Sequence, residues 1–250
     1  MTTNQAQNYA CQRIILEKIK KSPFAEKITI KGGVVMFNLT KNLRRATMDL
    51  DFDFVRYGIS EQSIHSFVNA LNHYDTRYRI LVVGMKALHH EDYRGKRVLL
   101  LIEDYSESLP FKLDIGVHTL TTIEQEKMCF RLANEGDAVA LLANPPEQIF
   151  AEKAYSLAKH GSFSRRFKDV FDMFFLIEQC ELNRSLVQKC LDLLTLNQGP
   201  RVTRTIVCEL VQDTLSDPTF LGHLSNARER WLDVGVKEIA ERIIEFLERI

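Results

Sequence analysis

The chain is poor in cysteine and shows no pattern among the cysteines it has. Its five, Cys11, Cys129, Cys180, Cys190 and Cys208, include no Cys-x-x-Cys pair. That argues against a zinc ribbon and against a disulfide framework, and predicts reduced thiols in a cytoplasmic protein. No apolar run approaches the roughly 18 residues that a membrane-spanning helix needs. The N-terminal stretch MTTNQAQNYACQRII lacks the basic start, apolar block and cleavage site of a secretory leader, so no membrane partner is expected. Charge of one sign is not in excess either, because Lys+Arg and Asp+Glu are each 33. This balance excludes a uniformly basic nucleic-acid coat and leaves room only for a local patch. The seven histidines, His89-His90 among them, have no metal-ligand spacing, and the single tryptophan, Trp231, reads as a core anchor. Internal repeats and low-complexity tracts are missing as well.

What is present suffices for a substantial core: 45% of 250 residues are apolar, enough for one large domain or two small ones. Cys11, Ile14, Ile15 and Ile19 share one face of a 3.6-residue period and predict a helix over 5–20 that stops at Ser22-Pro23. Ile28-Thr29-Ile30 reads as a strand running into Gly32-Gly33, with a short helix after it and a second strand over 48–55. Ser60 is placed to cap a helix that reaches His73. Residues 78–143 are strand-rich, and Arg94-Gly95-Lys96 reads as a hairpin turn between two strands. Asn144-Pro145-Pro146 is the clearest break. Helices are expected beyond it at 146–160, 165–180, 183–196, 200–215 and 233–249, with breaks at Gly161-Ser162 and Asn197-Gln198-Gly199-Pro200. The expected organisation is an α+β part with a mixed sheet over 1–143, and an all-helical part over 144–250.

The most informative stretch is GGVVMFNLTKNLRRATMDLDFDF, residues 32–54. On a strand, Asp49, Asp51 and Asp53 alternate with Leu50, Phe52 and Phe54, so the carboxylates share one face and the apolar side chains the other. Carboxylates so close repel unless a cation lies between them. Mg²⁺ suits such a site, because it prefers oxygen ligands and usually keeps substrate phosphates in its shell. Gly32-Gly33, between a strand and a helix N-terminus, can bring backbone N–H groups close to a phosphate. Asp114, in FKLDIGV, could add a third carboxylate from a neighbouring strand or serve as a general base. Lys153, in EQIFAEKAY, is suited to a triphosphate. Asp169 and Asp172 share a helix face in RRFKDVFDM, and either could be the active-site acid of the helical C-terminal part. Each signal has a plain structural alternative: a solvated strand or helix face, or a simple turn.

Taken together, Lys31-Gly32-Gly33, Arg45-Ala46-Thr47-Met48-Asp49-Leu50-Asp51-Phe52, Ala151-Glu152-Lys153 and Arg166-Phe167-Lys168-Asp169-Val170-Phe171-Asp172-Met173 resemble the nucleotidyltransferase-like AbiEii/AbiGii toxin family, within the DNA polymerase β-type superfamily. The match in order and spacing covers about residues 30–175. The resemblance implies a nucleotidyltransferase-like domain followed by an all-helical C-terminal domain. It implies an Mg²⁺-dependent toxin of a toxin–antitoxin or abortive-infection system, transferring NMP from an NTP to an RNA hydroxyl, with the tRNA 3′-end as the expected acceptor. In that reading Asp49, Asp51 and Asp114 hold metal. Gly32, Gly33, Lys153 and Asp172 contact nucleotide, and Asp169 is a further active-site acid. Arg44, Arg45, Arg165, Arg166 and Lys168 would form an RNA-binding patch, and a separately encoded antitoxin is a further partner. One departure is Gly33, where the wider superfamily often has a serine whose hydroxyl contacts phosphate. The alternatives are a nucleotide- or partner-binding module without turnover, or transfer to a small molecule or a protein hydroxyl.

Overall fold

A computed structural model describes residues 3–90, 93–105, 107–131, 138–196 and 202–250. The chain divides into two compact units, Met1–Asn144 and Pro145–Ile250. The first unit holds helices α1 (Thr3–Lys21), α2 (Gly32–Thr40) and α3 (Glu61–Tyr74) and strands β1 (Ile28–Lys31), β2 (Leu50–Phe54), β3 (Arg79–His90), β4 (Tyr93–Glu103), β5 (Ser108–Val117), β6 (Glu126–Phe130) and β7 (Val139–Ala143). The strands form a seven-stranded mixed sheet in the order β3-β4-β5-β2-β1-β7-β6. β2 pairs parallel with β5, and β1 parallel with β7; the other neighbours are antiparallel.

The alternation in β2 sets the orientation of this sheet. Leu50, Phe52 and Phe54 are fully buried, as are Ile28 and Ile30 of β1 and Leu113 and Ile115 of β5. Phe52, Phe54 and Phe67 of α3 meet edge-on at ring-centre distances of 5.4 to 5.6 Å. The apolar stripe of α1 is buried as its periodicity predicts: Cys11, Ile14, Ile15 and Ile19 all lie in the core. The cation Lys18 is buried beside them. Its ammonium donates to the carbonyls of Leu71 and Asp75, satisfying groups that the end of α3 leaves without helical partners. Ser60 caps α3 by accepting from the Ser63 N–H, as expected.

One turn is placed differently from the sequence reading. Arg94-Gly95-Lys96 lies inside β4, with Gly95 paired to Leu88 and Lys96 to Ala87. A glycine between charged residues suggests a turn, but the ladder runs past it to the His90–Tyr93 pair, and residues 91–92 lie outside the described residues.

The second unit contains α4 (Pro146–His160), α5 (Phe167–Gln179), α6 (Arg184–Thr195), α7 (Arg204–Ser216), α8 (Pro218–Ser225) and α9 (Val236–Leu247). α4 is the central element and packs against α5, α6 and α7. Its start follows from Pro146 at the first helical position, where the missing N–H costs nothing. Trp231 is buried against Phe175 at 5.7 Å. The sequence reading did not include α8, whose signal is nonetheless local: Asp217 before Pro218 accepts from the N–H groups of Thr219 and Phe220. The predicted break at 197–200 lies outside the described residues.

Candidate active site

Register pairing places one charged residue from each of five strands in a single row. Lys31 of β1 stands opposite Asp51 of β2, and Asp51 opposite Asp114 of β5. Asp114 stands opposite Arg97 of β4, and Arg97 opposite Lys86 of β3. Directly paired residues point to the same face of a sheet, so the two carboxylates sit side by side with cations flanking them. The opposite face of the same strands is the apolar core. The row thus follows from alternation in each strand, combined with a pairing order that the sequence does not display.

Asp51 is the most perturbed acid of the row. Burial raises its carboxyl to about 6, and the negative charge of Asp114 adds to the effect. Lys31 opposes the rise, but its ammonium is committed to Asp53 at 2.7 Å. Among the described residues no hydrogen-bond donor reaches the Asp51 carboxylate. Asp49 stands at the entry to β2, where it is exposed.

Asp114 lies beside Asp51 as the sequence reading required, but both its oxygens are engaged. Arg97 donates to it through Nε at 2.8 Å and Nη2 at 2.7 Å, a two-pronged guanidinium–carboxylate pair. That pair, together with the nearby charges of Asp49 and Asp51, raises the affinity of Arg97 for its proton. Arg97 was missed from sequence because an arginine in RVLLLIE carries no motif. Only the β4–β5 register brings it to the carboxylates.

The Gly32-Gly33 turn has a steric basis. Gly32 has φ +66°, a conformation that side chains disfavour, and a Cβ there would stand 2.7 Å from Asp51 Oδ2. At Gly33 a Cβ would stand 2.6 Å from Thr47 Oγ1. The glycines let the start of α2 close down onto the Asp51 carboxylate and the Thr47 side chain. No side chain caps α2 at Lys31, so the first N–H groups of the helix remain without an internal acceptor.

These residues fit a divalent cation in kind. Asp51 is a half-buried carboxylate without a donor among the described residues, crowded by other acids, and a cation would relieve that repulsion. Among the described residues no three His, Cys, Asp or Glu side chains form a ready-made metal cage. Mg²⁺ does not need one, since one or two carboxylates plus substrate phosphates and water complete its shell. Asp49 and Asp51 could supply the protein part while Arg97 keeps Asp114.

In the second unit, Lys153 of α4 reaches two acids of α5. Its ammonium lies 2.5 Å from Asp169 and 2.8 Å from Asp172. The Asp172 side chain is fully buried, whereas that of Asp169 is 15% exposed and also faces Arg166 at 3.6 Å. The motif residues Lys153, Asp169 and Asp172 are therefore one cluster. Among the expected RNA contacts, Arg44, Arg165 and Arg166 are exposed and Lys168 is half-buried, but Arg45 is buried and lies beneath the surface.

A mixed sheet carrying a glycine turn over an Asp-x-Asp strand, with an acid on the neighbouring strand, is the architecture of a nucleotidyltransferase. The sequence model of the family described as nucleotidyl transferase AbiEii toxin, type IV toxin–antitoxin system, matches residues 14–240, and the chain belongs to that family. Membership implies a nucleotide substrate and a cognate antitoxin, and nucleotidyltransferases generally use a divalent metal. No curated protein matches the sequence. Among solved structures the chain is similar to JHP933 from Helicobacter pylori, with 14% identity, a TM-score of 0.54, and coverage of 100% of this chain and 92% of that one. A nucleotidyltransferase-like antigenic protein from Paracoccidioides brasiliensis aligns at 16% identity and a TM-score of 0.45, over 81% of this chain and 92% of its own. The likeness to JHP933 shows the fold. No described helix is long and apolar enough to cross a membrane.

Proposed function

We propose that this chain is an Mg²⁺-dependent toxin that transfers NMP from an NTP to an RNA hydroxyl, with the tRNA 3′-end as acceptor. The observation that carries the reading is the side-by-side placement of Asp51 and Asp114 beneath the glycine turn that opens α2. In the reaction the acceptor oxygen bonds to the α-phosphorus, the bond to pyrophosphate breaks, and the acceptor loses its proton. Mg²⁺ held by Asp49 and Asp51 would supply charge stabilisation at the transferring phosphate. The uncapped N-terminus of α2 offers backbone N–H groups to the phosphates, a role that Gly33 can fill without the hydroxyl of a serine. Asp114, clamped by Arg97, contributes negative charge and position. The motif around Lys153, Asp169 and Asp172 supports a part for that cluster in handling the nucleotide. Exposed Arg44, Arg165 and Arg166 supply candidate phosphate contacts for RNA, and a toxin of this kind would act in the cytoplasm.

The test is to incubate the purified chain with each α-labelled NTP, Mg²⁺ and total tRNA, alongside Asp51→Asn. Label is expected on tRNA with wild type only, together with growth arrest on expression that Asp51→Asn relieves. Label on protein or on a small molecule would replace the acceptor. Nucleotide binding without product across acceptors and metals would favour a module without turnover.

A further inference from the structure

The segment 46–49 is neither helix nor strand, yet it carries Thr47 against Gly33 and Asp49 at the entry to β2. Its backbone carbonyls therefore lack ladder partners and need donors from elsewhere. A single side chain supplies two of them. Gln12 of α1, with no exposed surface, donates through Nε2 to the carbonyls of Thr47 and Asp49, each at 3.2 Å. These bonds span 35 and 37 residues of sequence and grip the chain on both sides of Met48. The amide orientation follows from chemistry, since only the NH₂ end can donate to two carbonyls. The other end, Oε1, is buried without a hydrogen-bond partner among the described residues. A methionine or leucine would fill the same space with no orphaned acceptor. A glutamine here makes physical sense through what its donors hold.

We propose that Gln12 is a positioning residue for the metal-binding carboxylates: it fixes the backbone from Thr47 to Asp49 so that Asp49 and Asp51 present a preformed pair. This rests on the nucleotidyltransferase reading above. It goes beyond the family motifs, because Gln12 lies outside residues 14–240, which the family matches, and on a helix whose sequence pattern reads only as core. The loop is held by two hydrogen bonds from one planar group, so losing that group frees both ends of the loop at once. Thr47 would then be free to shift off Gly33, and Asp49 to swing away from Asp51.

The decisive variant is Gln12→Met in the full chain, similar in size and without donors. Hydrogen exchange across residues 46–50 is expected to speed up at least about 10-fold, with α3 and β4 unchanged. Mn²⁺ affinity, read by electron paramagnetic resonance on the nucleotide-free chain, is expected to fall about 10-fold, as is usual for residues that orient metal ligands. A loosened loop with unchanged Mn²⁺ affinity would overturn the positioning role, and so would an unchanged loop. If the variant does not fold, the wild-type chain decides the matter: the Gln12 side-chain amide protons should be protected from solvent exchange by NMR, and free exchange would overturn the proposal. A wild-type chain that binds no Mn²⁺ and shows no turnover would instead overturn the metal reading of Asp49 and Asp51, and the positioning role with it. Normal wild-type Mn²⁺ binding with an indifferent Gln12→Met would remove Gln12 alone.

Discussion

Asp51 illustrates how a residue suited to metal binding weakens the metal-free fold. Its carboxyl is raised from an ordinary 3.8 to about 6 by burial and by the charge of Asp114, so the folded chain holds the proton more tightly than the unfolded one. The cost of ionising it is therefore fully present above pH 6, and fades as the pH falls toward 3.8. Asp51→Asn is expected to stabilise the metal-free protein at pH 8 by on the order of 2 kcal/mol, with the difference closing by pH 4. Urea denaturation at both pH values, with chelator present, measures it. Lys153 predicts the opposite sign. It lies 2.5 Å from Asp169 and 2.8 Å from the fully buried Asp172, so Lys153→Ala takes the ammonium from the buried Asp172 carboxylate, while the part-exposed Asp169 keeps Arg166 at 3.6 Å. A loss of about 3–5 kcal/mol is expected at neutral pH, visible as a lowered melting temperature. Loss of activity in that variant alone would not establish a phosphate contact.

At the scale of elements, the turn into α2 and the loop before β2 are mutually fitted. Gly33 cannot accept a Cβ because Thr47 Oγ1 would be 2.6 Å away and Thr47 Cβ 2.8 Å away. That crowding disfavours a serine at this position. Gly33→Ser is expected to destabilise by about 1–3 kcal/mol, as overpacked sites do. Gly33→Ser with Thr47→Gly should recover much of that loss, and thermal melting of the three variants checks it. Element existence was largely legible: the stripe of α1, the Ser60 cap of α3, the β2 alternation and the start of α4 all follow from local chemistry. Two readings went astray at punctuation. Gly95 reads as a turn but lies inside a ladder, and the Asp217 cap that opens α8 falls outside the helices expected from periodicity. Glycine marks a turn only where the backbone needs what glycine permits, and in β4 it does not.

At the scale of the whole molecule, zero formal net charge means there is no overall attraction to nucleic acid. Any RNA affinity must come from local cations. If Arg165 and Arg166 contact phosphates, replacing either with Ala should reduce the slope of log affinity against log salt by about 1. Arg45→Ala, at a buried position, should act through stability and leave that slope unchanged; filter binding across a salt series separates the two. The sequence by itself determined that Asp51 and Asp53 share a face away from Leu50, Phe52 and Phe54, because strand alternation is a local property; Asp49, expected on the same strand, stands just before it. It likewise placed Lys153 and the two acids of α5 on helices, through motifs short enough to read along the chain. Only the tertiary structure decided that Asp114 pairs in register with Asp51, that Arg97 clamps Asp114, and that Gln12 braces the loop from α1. Those contacts depend on strand order and helix docking, which arise from burial of the whole core and leave no mark at any single position.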